Sequence, residues 1–73
     1  MADEQDSDRA ARRRDARRRS ALKDALWGEG VTDERAELWI ARWEASDEAQ
    51  ARPRDATWWR LAHEWIDRER GAD

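Results

Sequence analysis

The chain of 73 residues contains no cysteine, no phenylalanine and no tyrosine, and it has one proline and three glycines. Without cysteine it forms no disulfide framework, no thiolate zinc site and no cysteine nucleophile. The scarcity of proline and glycine, which interrupt helices, favours a helical fold. No apolar run approaches the length of a membrane-spanning helix, and the acidic N-terminus is unlike a signal peptide. We therefore expect a cytoplasmic, all-α protein that contacts no membrane.

Large aliphatic residues are also scarce, because leucine, isoleucine and valine together number seven. Such a composition ordinarily indicates disorder. Here, however, the net charge is only −3, and six tryptophans, all after residue 26, supply large apolar surfaces. We predict a folded segment whose core is built mainly from tryptophan, joined to an N-terminal part that has little to bury.

Apolar periodicity predicts three helices with short connections. The first covers about residues 8–27, packs only over its last two turns and stops at Gly28. The second begins after the N-cap Thr32 and fades near residue 50, before Pro53. Its inward stripe consists of Ala36, Trp39, Ile40 and Trp43.

The third predicted helix begins at Pro53 or just after Asp55 and ends at Gly71. Its inward stripe consists of Trp58, Leu61, Ala62 and Trp65. The expected fold is therefore a small three-helix arrangement, in which a tryptophan-rich helical hairpin over residues 33–70 packs against the N-terminal helix.

Charge is segregated along the chain. Residues 1–8 carry −4, residues 9–23 carry +7 (eight basic groups and one acid), and residues 24–73 carry −6. We therefore divide the chain into an acidic disordered tail at 1–8, an Arg-rich arm or exposed helix extension at 9–20, and a helical domain at 21–71. The 14 arginines against one lysine, with 14 alanines, are typical of a bacterium with a GC-rich genome.

The Arg-rich run projects its arginines in every direction of a helix and so has no face to bury. Three interpretations stay open: contact with nucleic-acid phosphates, packing onto the acidic helices or an acidic partner, and a solvated arm without a dedicated role. Under the first interpretation, the residues that contact nucleic acid are Arg12, Arg13, Arg14, Arg17, Arg18, Arg19 and Lys23.

The tryptophans outnumber the positions that a small core offers. Adjacent Trp58 and Trp59 diverge by about 100° on a helix, so a three-helix core does not easily bury both. Trp27 lies at the edge of the first helix, and Leu38 lies on the outer face of the second. We expect leftover apolar surface that binds a protein partner or a second copy of this chain. The predicted partner-binding residues are Trp59, Ile66, Leu38 and Trp27.

The stretch from His63 to Asp67 resembles the first half of a zinc-peptidase motif, in which two histidines four residues apart bind the metal. Asp67 stands where the second histidine is required, and the sequence has no other histidine. It also lacks a glycine-rich phosphate loop and a catalytic triad. We expect no catalytic residue, cofactor, metal or small-molecule substrate. The predicted function is a non-enzymatic protein-interaction or regulatory module, with nucleic-acid binding as the alternative.

Overall fold

The computed structural model describes the backbone of residues 2–72 and the side chains of residues 8–71. Within these residues there is no strand, and the helices are α1 (Ala2–Gly28), α2 (Asp33–Glu44), α3 (Asp47–Gln50) and α4 (Ala56–Ala72). Helices α1, α2 and α4 contact one another as a three-helix bundle, and α3 is a single turn beside α2. The predicted all-α fold is confirmed. None of these helices combines the length and the apolar character that crossing a membrane requires.

Helix α1 is much longer than its neighbours, at 27 residues against 12 for α2 and 17 for α4. At about 1.5 Å per residue, its N-terminal part extends past α2 and α4, and the chain as a whole has a longest dimension of 48 Å. It begins at Ala2, earlier than the predicted start near residue 8. Most of the predicted acidic tail has side chains outside the described residues, so disorder over 1–8 stays a prediction.

A Schellman turn ends α1. Gly30 has a φ of 93°, its N–H donates to the Trp27 carbonyl at 3.0 Å, and the Val31 N–H donates to the Leu26 carbonyl at 2.9 Å. Leu26 and Val31 are both buried, which is the apolar contact that accompanies such a turn. The helix ends at Gly28, one residue past the predicted end at 27, and the glycine that terminates it is Gly30 instead of the predicted Gly28.

Helix α2 ends at Glu44 instead of near residue 50. Ser46 accounts for the early end, because its hydroxyl donates to the Trp43 carbonyl at 2.6 Å and accepts from the N–H of Ala49 at 3.2 Å. A serine that bonds the local backbone in this way competes with helix continuation and caps a new helix. The single long second helix of the prediction is thus replaced by α2 and the one-turn α3.

Two predicted helix starts are confirmed by their capping bonds. The hydroxyl of Thr32 accepts a hydrogen bond from the N–H of Arg35 at 3.4 Å, at the start of α2. The carboxylate of Asp55 accepts from the N–H of Trp58 at 2.9 Å, and α4 begins at Ala56. Both caps satisfy backbone donors that the first helical turn leaves without a partner.

The core is centred on Trp43 and Trp58, whose rings meet edge to face with centroids 5.4 Å apart. Trp39 and Trp65, also predicted to face inward, are half-buried against this core. The indole N–H of Trp58 donates to the Ala49 carbonyl at 2.9 Å, whereas that of Trp43 has no acceptor among the described residues. The other buried residues are Leu22, Leu26, Val31, Ala36, Ile40, Ala49, Trp59, Ala62 and Ile66.

Candidate interaction surfaces

Trp59, predicted to be exposed, is buried, with 5% of its surface accessible. Its ring packs edge to face against Trp58 at 4.7 Å, and its indole N–H donates to Asp15 of α1 at 3.0 Å. The guanidinium of Arg54 covers both rings, 4.4 Å from the Trp58 centroid and 5.4 Å from that of Trp59. The prediction is wrong because α1 and the loop of residues 51–55 close over the second tryptophan.

The apolar surface that stays accessible is smaller than predicted. Ile66 is fully buried, so its assignment to a partner surface is also wrong. The predicted exposure of the other two residues is confirmed, at 69% for Trp27 and 63% for Leu38. Arg42 lies over the half-buried Trp39 ring at 4.9 Å. Leu38, Trp39 and Arg42, together with Arg35, line a shallow cleft of about 280 Å³ on the outer side of α2.

Two of the seven basic residues predicted to contact nucleic acid are paired within the bundle. Arg19 pairs with Glu37 and, at 2.9 Å, with Glu44, and Lys23 pairs with Glu37 at 2.8 Å. The hydrogen bond between Lys23 and Glu37 lowers the pKa of the carboxyl and raises the pKa of the amine. The predicted lack of a packed face is therefore wrong for the last turns of the Arg-rich run, which lie against acidic side chains of α2.

The other five predicted contacts have no carboxylate partner among residues 8–71. Arg18 is half-exposed, and the other four are exposed: Arg12, Arg13, Arg14 and Arg17. The one acid inside the run, Asp15, accepts from the Trp59 indole and lies 3.4 Å from Arg54, so it is engaged elsewhere. These five arginines form a strongly basic surface on the part of α1 that lies at the end of the bundle and extends beyond it.

Arg14 and Arg18 share a cleft with Arg54. The cleft has a volume of about 290 Å³ and lies where α1 passes the start of α4. It is lined by Ala11, Arg14, Asp15, Arg18, Arg54 and Asp55. The two aspartates already accept hydrogen bonds from the adjacent tryptophans. Sequence reasoning missed Arg54, because no local pattern indicates that its loop reaches α1.

A second ionic cluster joins the turn after α1 to α4. The Nε2 atom of His63 lies 2.6 Å from Glu29 and 3.6 Å from Asp67, and Arg70 lies 3.5 Å from the other oxygen of each carboxylate. The hydrogen bond to His63 lowers the pKa of Glu29, while partial burial and then Glu29 raise the pKa of Asp67. Although three of these side chains are potential metal ligands, Arg70 already supplies positive charge, and we assign no metal.

Comparison with protein-family models, with curated proteins and with solved structures finds no match to this chain. Its function therefore has to follow from its own side chains. Two surfaces stand out: the basic part of α1 with its cleft, and the outer side of α2 around Leu38. The first carries more unneutralised charge, and the second carries accessible apolar area at Leu38 beside the half-buried Trp39.

Proposed function

We propose that this chain is a non-enzymatic, nucleic-acid-binding accessory protein of the cytoplasm. Helix α1 presents an arginine-rich face to phosphates, and α2 and α4 hold that helix in place. The observation that carries the proposal is a set of five arginines without carboxylate partners among residues 8–71: Arg12, Arg13, Arg14, Arg17 and Arg18. Guanidinium groups form bidentate bonds with phosphate, and each neutralised phosphate releases a counterion that favours binding.

Nucleic-acid binding is preferred over protein binding because of how the tryptophans pack. An excess of exposed tryptophan would favour protein binding, but the core encloses Trp59 and Ile66. Within residues 8–71, the basic surface loses Arg19 and Lys23 to ion pairs, and its other five members stay accessible. The fold thus leaves accessible more of the predicted basic residues than of the predicted apolar partner-binding residues.

The salt dependence of binding to duplex DNA tests this proposal. If the five arginines each meet a phosphate, the logarithm of affinity falls against the logarithm of salt with a slope of about −4.5. Engagement of Arg19 and Lys23 as well steepens the slope to about −6. Replacing Arg12, Arg13 and Arg14 by alanine reduces its magnitude by about 3. A flat response, or no binding to duplex or single strand at low salt, contradicts the proposal.

The matched control removes the same charge from another surface. Arg35, Arg42 and Arg52 are exposed and lie outside α1. Their joint replacement by alanine also lowers the net charge by three, but we expect it to leave the salt slope close to that of the unmodified chain. This comparison separates specific contacts on α1 from a general effect of net charge.

Protein binding is the second candidate, and the outer side of α2 favours it. Leu38 is 63% exposed beside Trp39, and the flanking arginines suit an apolar side chain neighboured by carboxylates, including those of a second copy of this chain. Light scattering over a concentration series tests self-association, which Leu38→Asp abolishes under this proposal. Trp27→Ala serves as the control at the other exposed apolar residue. Concentration-independent mass for the unmodified chain contradicts self-association.

A further inference from the structure

We propose that the cleft between α1 and the start of α4 is a binding site for a phosphate group of nucleic acid, held by Arg14, Arg18 and Arg54. The inference rests on the proposed nucleic-acid function and deepens it. It adds Arg54, which comes from a different part of the chain, to the contacting residues. It also divides the basic surface into a cleft and an outer side, which contribute unequally to affinity.

The side chain of Arg54 is held in position by the fold, but its hydrogen-bond donors are not all used. Its guanidinium carbon lies over the Trp58 ring, 4.4 Å from the centroid, a cation–π contact that restrains the side chain. Its nearest acidic atoms are 3.4 Å away on Asp15 and 3.7 Å away on Glu44. Strong charge-assisted bonds measure about 2.7–2.9 Å, so these longer contacts leave N–H donors to share. A donor that is already ordered costs less entropy when it binds a ligand.

The three arginines reach the cleft from two separate elements. Arg14 and Arg18 are four positions apart, and side chains at this spacing lie on the same side of a helix. Arg54 lies across from them in the loop before α4. The lining includes two aspartates, Asp15 and Asp55, whose carboxylates accept hydrogen bonds from protein N–H groups. With three arginines against two aspartates, the lining carries one net positive charge. Arg14 and Arg18 have no carboxylate partner among residues 8–71, and the Nε of Arg14 donates only a long hydrogen bond, 3.4 Å, to the Ala10 carbonyl.

A phosphate polymer suits this arrangement better than an isolated acid. Bidentate guanidinium contacts match the non-bridging oxygens of phosphate. Arg13 and Arg17 precede the two cleft residues of α1 by one position each, and both are exposed. A chain that carries a negative charge at every nucleotide can occupy the cleft and meet these outer arginines with its next phosphates.

The test compares two double variants of the full chain with equal charge. Arg14→Ala with Arg18→Ala changes the cleft, and Arg13→Ala with Arg17→Ala changes only the outer side. Affinity for a fluorescent single-stranded DNA is measured at low salt, after urea unfolding has established that each variant folds. We expect the cleft variant to bind at least about tenfold more weakly than the outer variant, because it loses charged hydrogen bonds beyond the shared loss of charge.

Arg54 is tested by Arg54→Lys, which retains the charge and loses the planar fork. We expect this variant to lose several-fold in DNA affinity. Arg52→Lys, in the same loop, serves as the control and retains the affinity. Equal affinities of the two lysine variants overturn the role of Arg54.

Further outcomes separate the cleft from the broader function. Equal loss in the cleft and outer double variants overturns the cleft and leaves nucleic-acid binding by α1 in place. No binding of DNA by the unmodified chain overturns both. Binding of inorganic pyrophosphate tests whether the cleft takes a free phosphate instead of a polymer. If pyrophosphate binds in a manner that requires Arg14 and Arg18 while DNA does not bind, the assignment of the phosphate to nucleic acid is overturned. Equal binding of polyglutamate overturns the preference for phosphate.

Discussion

The indole N–H of Trp59 donates a hydrogen bond to the carboxylate of Asp15 at 3.0 Å, between residues 44 positions apart in the sequence. The one acid of the Arg-rich run thus joins α1 to α4. Its second oxygen lies 3.4 Å from Arg54, whose guanidinium lies over the same tryptophan pair. This contact explains why α1 is packed well before its last two turns and why Trp59 is buried.

Asp15→Ala should therefore destabilise the bundle. The substitution leaves a buried indole N–H without its acceptor, which costs about 1–3 kcal/mol. The free energy of unfolding in urea measures the loss. Asp24→Ala removes the same charge from an exposed position of α1 and is expected to have little effect. Equal stability of the two variants contradicts a structural role for the bond.

The ion pairs of Glu37 predict a dependence of stability on pH. The hydrogen bond from Lys23, followed by that from Arg19, lowers the pKa of Glu37 in the folded chain. A lowered folded pKa means that the pairs stabilise the fold above the unfolded value of about 4.3. This stabilisation is lost as pH falls through the folded value.

Glu37→Gln is expected to lower stability at neutral pH and to flatten the acid decline. Urea unfolding over a series of pH values measures both effects. Glu34→Gln removes the same charge from an exposed position of α2 and serves as the control. If Glu37→Gln and the unmodified chain decline in parallel, the ion pairs contribute nothing to the pH dependence.

The two glycines at the end of α1 should respond to alanine in opposite ways. Gly28 is helical with open space around it, so Gly28→Ala should stabilise the chain by about 0.5–1 kcal/mol. Gly30 has equal space but a φ of 93°, so Gly30→Ala should cost about 1–2 kcal/mol in backbone strain. Thermal unfolding of both variants checks the signs. Stabilisation by alanine at Gly30 is incompatible with the Schellman turn.

The two central tryptophans should differ when changed to phenylalanine. Trp58→Phe removes a buried hydrogen bond to the Ala49 carbonyl, whereas Trp43→Phe removes an indole N–H that has no acceptor among the described residues. Both lose similar apolar area, so Trp58→Phe should cost about 1–3 kcal/mol more. Chemical unfolding of the pair measures the difference. A larger cost at Trp43 contradicts the assigned bonding.

Local patterns predicted the elements that local physics controls. The stripes of α2 and α4 and the caps at Thr32 and Asp55 depend on residues within a few positions, and the structure confirms the helix starts. The break at Ser46 is also local, but the predicted end near residue 50 depended on Pro53, and the prediction did not include the capping bonds of Ser46. The prediction placed the glycine stop of α1 at Gly28, and only the backbone shows that Gly30 adopts the positive φ.

The candidate site was less predictable because its contacts are long-range. Whether an arginine of α1 is free depends on which acidic side chains α2 brings opposite it, and these pair with Arg19 and Lys23 but not with Arg13. Arg54 belongs to the cleft only because its loop folds back on α1. One signal was present: Asp15, a lone acid among eight basic residues, marks the inward side of the helix.

The central claim is that the Arg-rich run is divided, with Arg19 and Lys23 stabilising the bundle and the preceding arginines contacting nucleic acid. The most direct measurement is the DNA affinity, at low salt and under folding conditions, of two variants that each lose two positive charges. The account predicts that Arg13→Ala with Arg17→Ala weakens binding clearly more than Arg19→Ala with Lys23→Ala. Equal weakening, or a greater loss in the second variant, would contradict it.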